Sequence, residues 1–171
     1  LFALGIGKND IVQNCFSYHF TPAGAMLESG AFAIGASVFP AGTGNTEQQA
    51  TAAASLGTTA YCGTPDYLLT ILKKAKEMEL DLSKLTKAAV SGGPLFPNLR
   101  TAYQELGIRC LQAYATAELG LIAYETKPDE PMIVDEDVIV EIVTPGTGNP
   151  VKPGEVGEVL VTLLRSDFPL F

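Results

Sequence analysis

AAVSGGPLFPNLRTAYQELGIRCLQAYATAELGLIAYE, residues 88 to 125, decides how this chain is read. Val90 to Pro94 reads as a strand that runs out into Gly92-Gly93, where missing side chains let a planar ring lie against backbone. Pro97 opens a helix and Gly107 closes it. A second apolar strand follows and leads into Tyr114-Ala115-Thr116-Ala117-Glu118. This turn offers an aromatic face, a hydroxyl and a carboxylate within five residues, a set that suits a nucleotide and its metal. Both small-residue turns are expected to meet on one edge of a sheet.

The same rhythm extends in both directions. Thr21-Pro22 has the form of an N-cap and first turn for a helix reaching about Ile34, followed by a short strand from Ser37 to Phe39. Thr46 with Gln49 has capping-box spacing for a helix ending near Leu56, and Thr59 to Cys62 returns as a strand. Thr64-Pro65 starts a third helix, in which Leu68, Ile71, Leu72, Ala75 and Met78 keep a 3.6-residue period opposite Lys73, Lys74 and Lys76. With Lys87 to Ser91 and Ile108 to Gln112, four apolar strands are joined by helical crossovers. That predicts an α/β fold with a parallel sheet and helices on both faces. Beyond Tyr124 the periodicity changes. Val138 to Val143 and Glu158 to Thr162, separated by Pro-Gly turn signals, predict a small antiparallel β unit. The expected division is an α/β nucleotide- and acyl-binding subdomain at 1–124 and a small β subdomain at 125–171.

In an open parallel sheet, ligands collect outside the carboxyl ends of the strands. Four segments fall there: Pro40 to Asn45, Gly63-Thr64, Ser91 to Pro94 and Ala113 to Glu118. Each is rich in Gly, Ser or Thr. Singly, such loops are also ordinary turns; their convergence on one edge makes them a candidate site.

Composition narrows the classes. The net charge is −8, and residues 125–171 hold ten acidic against three basic residues, so no basic footprint for nucleic acid exists. The acidic stretch from Asp129 to Asp137 reads as a solvated loop. No apolar run nears the ~20 residues of a membrane span. The first residues have neither a basic leader nor a long apolar stretch, so no signal peptide is read there. Cys15, Cys62 and Cys110 lack CxxC spacing and lie in apolar surroundings, which predicts buried free thiols in a reducing cytoplasm and no zinc site. His19 is the only histidine, and Ser91 is not in a G-x-S-x-G elbow, so a hydrolase triad is not expected. The glycine patterns also fail the dinucleotide and P-loop templates.

Three places, the Ser91-Gly92-Gly93-Pro94 turn with its helix, the Tyr114-x-x-x-Glu118 turn and the run Thr43-Gly44-Asn45-Thr46-Glu47 after Val38-Phe39-Pro40, carry a family likeness. On them the chain resembles the adenylate-forming enzymes, within them the phenylacetate-CoA ligase-like branch. The resemblance implies ATP-dependent activation of an aryl or arylacetic acid to an acyl-adenylate, then transfer to coenzyme A. It implies adenine contacts from Ser91, Gly92, Gly93, Pro94, Tyr114 and Ala115, and a catalytic and Mg2+-holding role for Glu118. Tyr18, His19 and Phe20 would border the acyl pocket. A Ser or Thr that meets phosphate just before the Glu is replaced by Ala117, which leaves Thr116 as the neighbouring hydroxyl. Packing roles remain open alternatives: Tyr114 as a core ring, Glu118 as a cap, and residues 18–20 as packing around a helix start.

The expected partners are a small aromatic carboxylic acid and the remaining segments of a parent enzyme, with neither nucleic acid nor membrane. A chain that starts at Leu1 without Met and stops at Phe171 after a strand-like run reads as the central piece of a large domain. The phosphate loop, the Arg and Asp motifs and the lid lysine that the resemblance calls for would lie outside it. Alone, the chain is expected to bind without forming thioester from ATP, Mg2+, CoA and phenylacetate. The alternatives are a ligase that adenylylates a cofactor or other acceptor without CoA, and a non-catalytic nucleotide-binding module.

Overall fold

The computed structural model describes residues 1–165. Its elements, in chain order, are β1 (Ile11–Asn14), α1 (Ala23–Ala33), β2 (Ser37–Pro40), α2 (Thr46–Leu56), β3 (Ala60–Gly63), α3 (Pro65–Glu77), β4 (Lys87–Val90), α4 (Pro97–Glu105), β5 (Arg109–Thr116), β6 (Gly120–Tyr124), β7 (Ile133–Val134), β8 (Val138–Val143) and β9 (Glu158–Leu163). A seven-stranded sheet has the order β2-β1-β3-β4-β5-β6-β7. Strands β1 to β5 are parallel, and β6 and β7 are antiparallel additions. The α/β fold and the separate antiparallel pair β8-β9 are as the periodicity predicts.

Strand alternation splits the core into two layers. Cys15, Tyr61, Ala88, Val90 and Cys110 face one side, where Ala50 of α2, Leu68, Ile71 and Ala75 of α3, and Tyr103 of α4 cover them. Val12, Ala60, Cys62, Ala89 and Leu111 face the other, under Ala31 of α1 and the amino-terminal Leu4 and Ile6. Helices therefore lie on both faces, three on one and one on the other.

Helix starts follow local chemistry where proline sets them. Thr64 is extended and Pro65 takes the first position of α3, with Asp66 in its first turn and Lys74 and Lys76 in its last, each on the side the helix dipole favours. Pro97 does the same for α4, and Gly107 at φ +73° ends it.

Several expectations need correction. Strand β1 is not predicted by the apolar pattern, because its polar residues Gln13 and Asn14 interrupt the run; both are nevertheless buried, in a strand that lies between β2 and β3. The residue before α1 is Pro22 rather than Thr21, whose Oγ1 only accepts a 3.4 Å bond from the Ala23 N–H. The Thr46–Gln49 capping box does not form. Asn45, in left-handed conformation at φ 50°, precedes α2, and Gln49 turns inward instead. β5 runs past Gln112 to Thr116, so Tyr114 lies on a strand, and the turn proper is Ala117 to Leu119. The large sheet continues through β7 to Val134. The β8-β9 pair packs on it through Val138 and Leu163 against Ile122. Pro169, Leu170 and Phe171 lie outside the described residues.

Candidate functional site

The parallel register brings the strand ends level: Asn14 is opposite Pro40 and Cys62, Gly63 opposite Val90, and Val90 opposite Gln112. The segments that follow therefore share one edge. Hydrogen bonds join them. The Ser91 N–H donates to the Gly63 carbonyl at 3.1 Å, and the Leu95 N–H donates to Gln112 Oε1 at 3.1 Å.

Within the Ser91–Pro94 loop, Gly92 holds φ +73°, a conformation that a Cβ would strain. A side chain there would lie in ordinary contact with Thr64 Cγ2 at 3.7 Å and Phe16 Cε1 at 3.8 Å, which shows three strand-end loops meeting. Gly93 has neither a positive φ nor a crowded Cβ position, so packing within the described residues does not demand glycine. One strand over, Tyr114 is 45% exposed, where a core ring would be covered. The register shifts beside it, between Tyr114 and Ala115, as the pairing skips Ile122. Ala115 is exposed, and Thr116 Oγ1 accepts the Leu119 N–H at 3.1 Å, which occupies an oxygen lone pair but leaves the hydroxyl proton free to donate. Glu118 stands exposed on the turn, and its carboxylate has no hydrogen bond or ion pair among the described residues.

At the other end of the edge, an open cleft of about 370 Å³ lies between Ser17, Tyr18 and His19 and the segment Pro40 to Thr43. Tyr18 is held firmly. Its hydroxyl donates to Glu28 Oε2 at 2.6 Å and accepts from Asn14 Nδ2 at 2.8 Å. Burial, then the bond to Glu28, pushes the phenol pKa well above its usual range, so the ring stays neutral. His19 meets Phe20 edge-on with centroids 4.3 Å apart, but Phe20, at φ 54°, is 97% exposed and does not line the cleft. The opposite wall is fixed from beneath. Gln49, 3% exposed, donates through Nε2 to the carbonyls of Gly42 at 3.0 Å and Gly44 at 2.7 Å, and Tyr67 donates to Gly44 at 2.7 Å.

Sequence reasoning missed the polar groups that organise this edge. Arg100 on α4 donates to Glu125 through two nitrogens, at 2.8 and 3.2 Å, and Glu125 also accepts the Gln112 N–H at 2.9 Å. Both side chains are nearly buried, at 12% and 7% exposure. Arg100 and Glu125 are 25 residues apart, so no local pattern marks them as partners. Gln13 and Asn14 could have been noticed as amides inside an apolar run. The thiols are free and buried as expected, and burial pushes each pKa up to about 12, so none is a ready nucleophile.

Among the described residues, no group of three or more His, Cys, Asp or Glu side chains could hold a metal ion. Mg2+ needs no such cage. It typically takes one or two protein carboxylates and completes its shell with phosphate oxygens and water, and the free carboxylate of Glu118 fits as one such ligand.

A family described as AMP-binding enzyme matches residues 3–162. The phenylacetate-coenzyme A ligase of Pseudomonas putida is 28% identical over 173 residues, covering 96% of this chain and 39% of the relative. That of Escherichia coli K12 is 28% identical, covering 98% and 40%. The chain thus spans about 40% of the length of the curated relatives it matches. Among solved structures, a 2-hydroxyisobutyryl-CoA ligase in complex with 2-HIB-AMP and CoA superposes with a TM-score of 0.84 at 21% identity, covering 95% of this chain and 37% of that one. An anthranilate CoA ligase in complex with anthranoyl-AMP gives 0.70 at 20% identity, covering 92% and 32%. These likenesses show the fold.

Proposed function

The chain belongs to the AMP-binding enzyme family, and from that premise we propose that it contributes the adenine and acyl sites of an acid-CoA ligase, favouring an aryl or arylacetic acid. The observation that carries this reading is the pairing, on adjacent strand ends, of the Gly92-Gly93 turn with an exposed Tyr114. Glycine backbone offers a flat approach to a purine, and the phenol ring offers a stacking face. Ser91, Pro94 and Ala115 complete the adenine surround, with Thr116 the hydroxyl nearest the phosphates. Glu118 would hold Mg2+ together with phosphate oxygens.

Tyr18 and His19 would border the acid, with the Pro40–Thr43 segment opposite and Phe20 at the exposed rim. The names of the relatives support the aryl preference, and the cleft's phenol and imidazole walls suit a flat ring. Activation requires a carboxylate to reach an α-phosphate of like charge, which positioning and a bound cation make feasible. When bound, Mg2+ supplies charge neutralisation at the phosphates. This chain's residues bind and orient the nucleotide and the acid. Coenzyme A would be the acceptor in the whole protein, whose remaining segments are partners of this one. Three buried free thiols suit a reducing cytoplasm. Ala117, where the family's phosphate-contacting hydroxyl would stand, favours keeping a second reading: an adenylylating ligase that uses another acceptor, or a module that binds nucleotide without turnover.

Titration with AMP and with MgATP tests the proposal. Stacking on an aromatic ring is worth ~1–3 kcal/mol per base, so Tyr114→Ala should weaken AMP binding by about tenfold. Glu118→Gln should leave metal-free AMP binding intact and reduce the Mg2+ dependence of ATP binding. AMP affinity unchanged in Tyr114→Ala would remove the adenine assignment.

A further inference from the structure

We propose that Gln112 is a positioning residue that couples the two nucleotide-facing loops, setting the Ser91–Leu95 loop at a fixed distance from Tyr114. The inference rests on the nucleotide reading above. Gln112 is the last β5 residue paired with β4, opposite Val90, and stands two residues before Tyr114. Its side-chain carbonyl accepts the Leu95 N–H at 3.1 Å, the bond that ties the far end of the glycine loop to the neighbouring strand. The near end is tied by the Ser91 N–H to the Gly63 carbonyl. Between these two anchors run Gly92, Gly93 and Pro94, and no hydrogen bond from either glycine N–H is found among the described residues.

Gln112 is itself held at the backbone. Its N–H donates to Glu125 Oε2 at 2.9 Å, and Arg100 grips the same carboxylate while also reaching the Cys110 carbonyl at 3.5 Å. A rigid chain of contacts thus runs from α4 through Glu125 to Gln112 and on to Leu95. The carboxylate is nearly buried and has three donors on it, so it has one favourable arrangement, and Gln112 inherits that rigidity. A loop of two glycines loses more backbone freedom on ordering than any other pair of residues. Without the Leu95 anchor, a ligand would have to supply that ordering when it binds. Gln112 touches no proposed ligand atom; it acts through the loop.

The test compares the unmodified chain with Gln112→Leu, Gln112→Glu and Tyr114→Ala. Amide exchange at Leu95, AMP affinity by NMR titration and thermal stability are measured together. Gln112→Leu should speed Leu95 exchange and weaken AMP binding by roughly tenfold. Gln112→Glu, which keeps an acceptor at the same reach, should restore both. If the leucine variant does not fold, Gln112→Ala replaces it, with the same expected losses. Faster Leu95 exchange with unchanged AMP affinity overturns the coupling, as does a loss that Gln112→Glu fails to restore. If Tyr114→Ala weakens AMP while Gln112→Leu does not, the nucleotide reading stands and the coupling falls. If the unmodified chain binds no AMP, or Tyr114→Ala binds it equally well, the nucleotide reading falls and takes the coupling with it.

Discussion

Gly24 marks a place where a single added side chain would meet both backbone and a held ring. A Cβ there would come within 2.8 Å of the Ser17 carbonyl oxygen and of two Tyr18 ring carbons, although the Gly24 φ is not positive. The ring cannot retreat freely, since Asn14 and Glu28 both hold its hydroxyl. Gly24→Ala should therefore cost about 1–3 kcal/mol in urea denaturation, and a variant as stable as the unmodified chain would show that the loop yields. Asp10 supplies a pH-dependent counterpart. Burial alone would raise its pKa, but hydrogen bonds from Lys87, Gly7 and Thr59 and the Lys87 charge outweigh it and leave the folded value below the ordinary 3.8. A carboxyl depressed in the folded state contributes stability above its unfolded pKa and loses it as pH falls through the folded one. Thermal melts from pH 6 down to pH 3 should decline less steeply in Asp10→Asn than in the unmodified chain. Equal slopes would assign the acid sensitivity to other groups.

The elements are held together by bonds that their own sequences do not announce. Helix α4 is fastened to the end of β6 by Arg100 and Glu125, with Asp129 adding a bond to Arg100 Nε at 3.1 Å from an exposed position. Breaking a buried pair by removing one partner leaves an uncompensated charge, so Arg100→Ala should lose about 3–5 kcal/mol. The paired change Arg100→Met with Glu125→Leu should lose less than the single one in chemical denaturation, and equal or greater loss would refute the pairing argument. What was legible at this scale depended on local rules. Pro65, Pro97 and Gly107 act within one turn of their own backbone, so α3 and α4 were readable in type and in limits. β1 was not, because the burial of Gln13 and Asn14 is decided by Gln49, Tyr18 and the Gly24 carbonyl, which the chain supplies from other segments. The length of β5 was hidden for a similar reason. Tyr114 to Thr116 become strand only because β6 returns to pair with them.

Over the whole molecule, the β8-β9 pair meets the large sheet at a small apolar cluster in which Ile122 packs against Val138 and Leu163, with Leu119, Val140 and Val161 around them. Ile122→Ala should destabilise by about 2–5 kcal/mol, and amide exchange should show protection lost in β8 and β9 before β1 to β5. Simultaneous loss would mean that the two sheets unfold as one. Apolar periodicity, proline and glycine placement, and the change of rhythm near residue 125 determined by themselves the α/β class, the parallel strands with helical crossovers and the later antiparallel pair. These signals act through backbone geometry and the facing of neighbouring residues, which belong to the local chain. Likewise, a parallel sheet by its topology gathers strand-end loops on one edge, so the site's location was already implied. Only the tertiary structure decided which polar groups meet across that edge: Gln49 under the Gly42–Gly44 wall, Tyr18 on Glu28, and Arg100 on Glu125 with Gln112 on Leu95. Such partners lie from five to 25 residues apart, beyond the spacing of one helical turn, and their energy comes from mutual burial and hydrogen bonding, which exist only once the fold has brought them together.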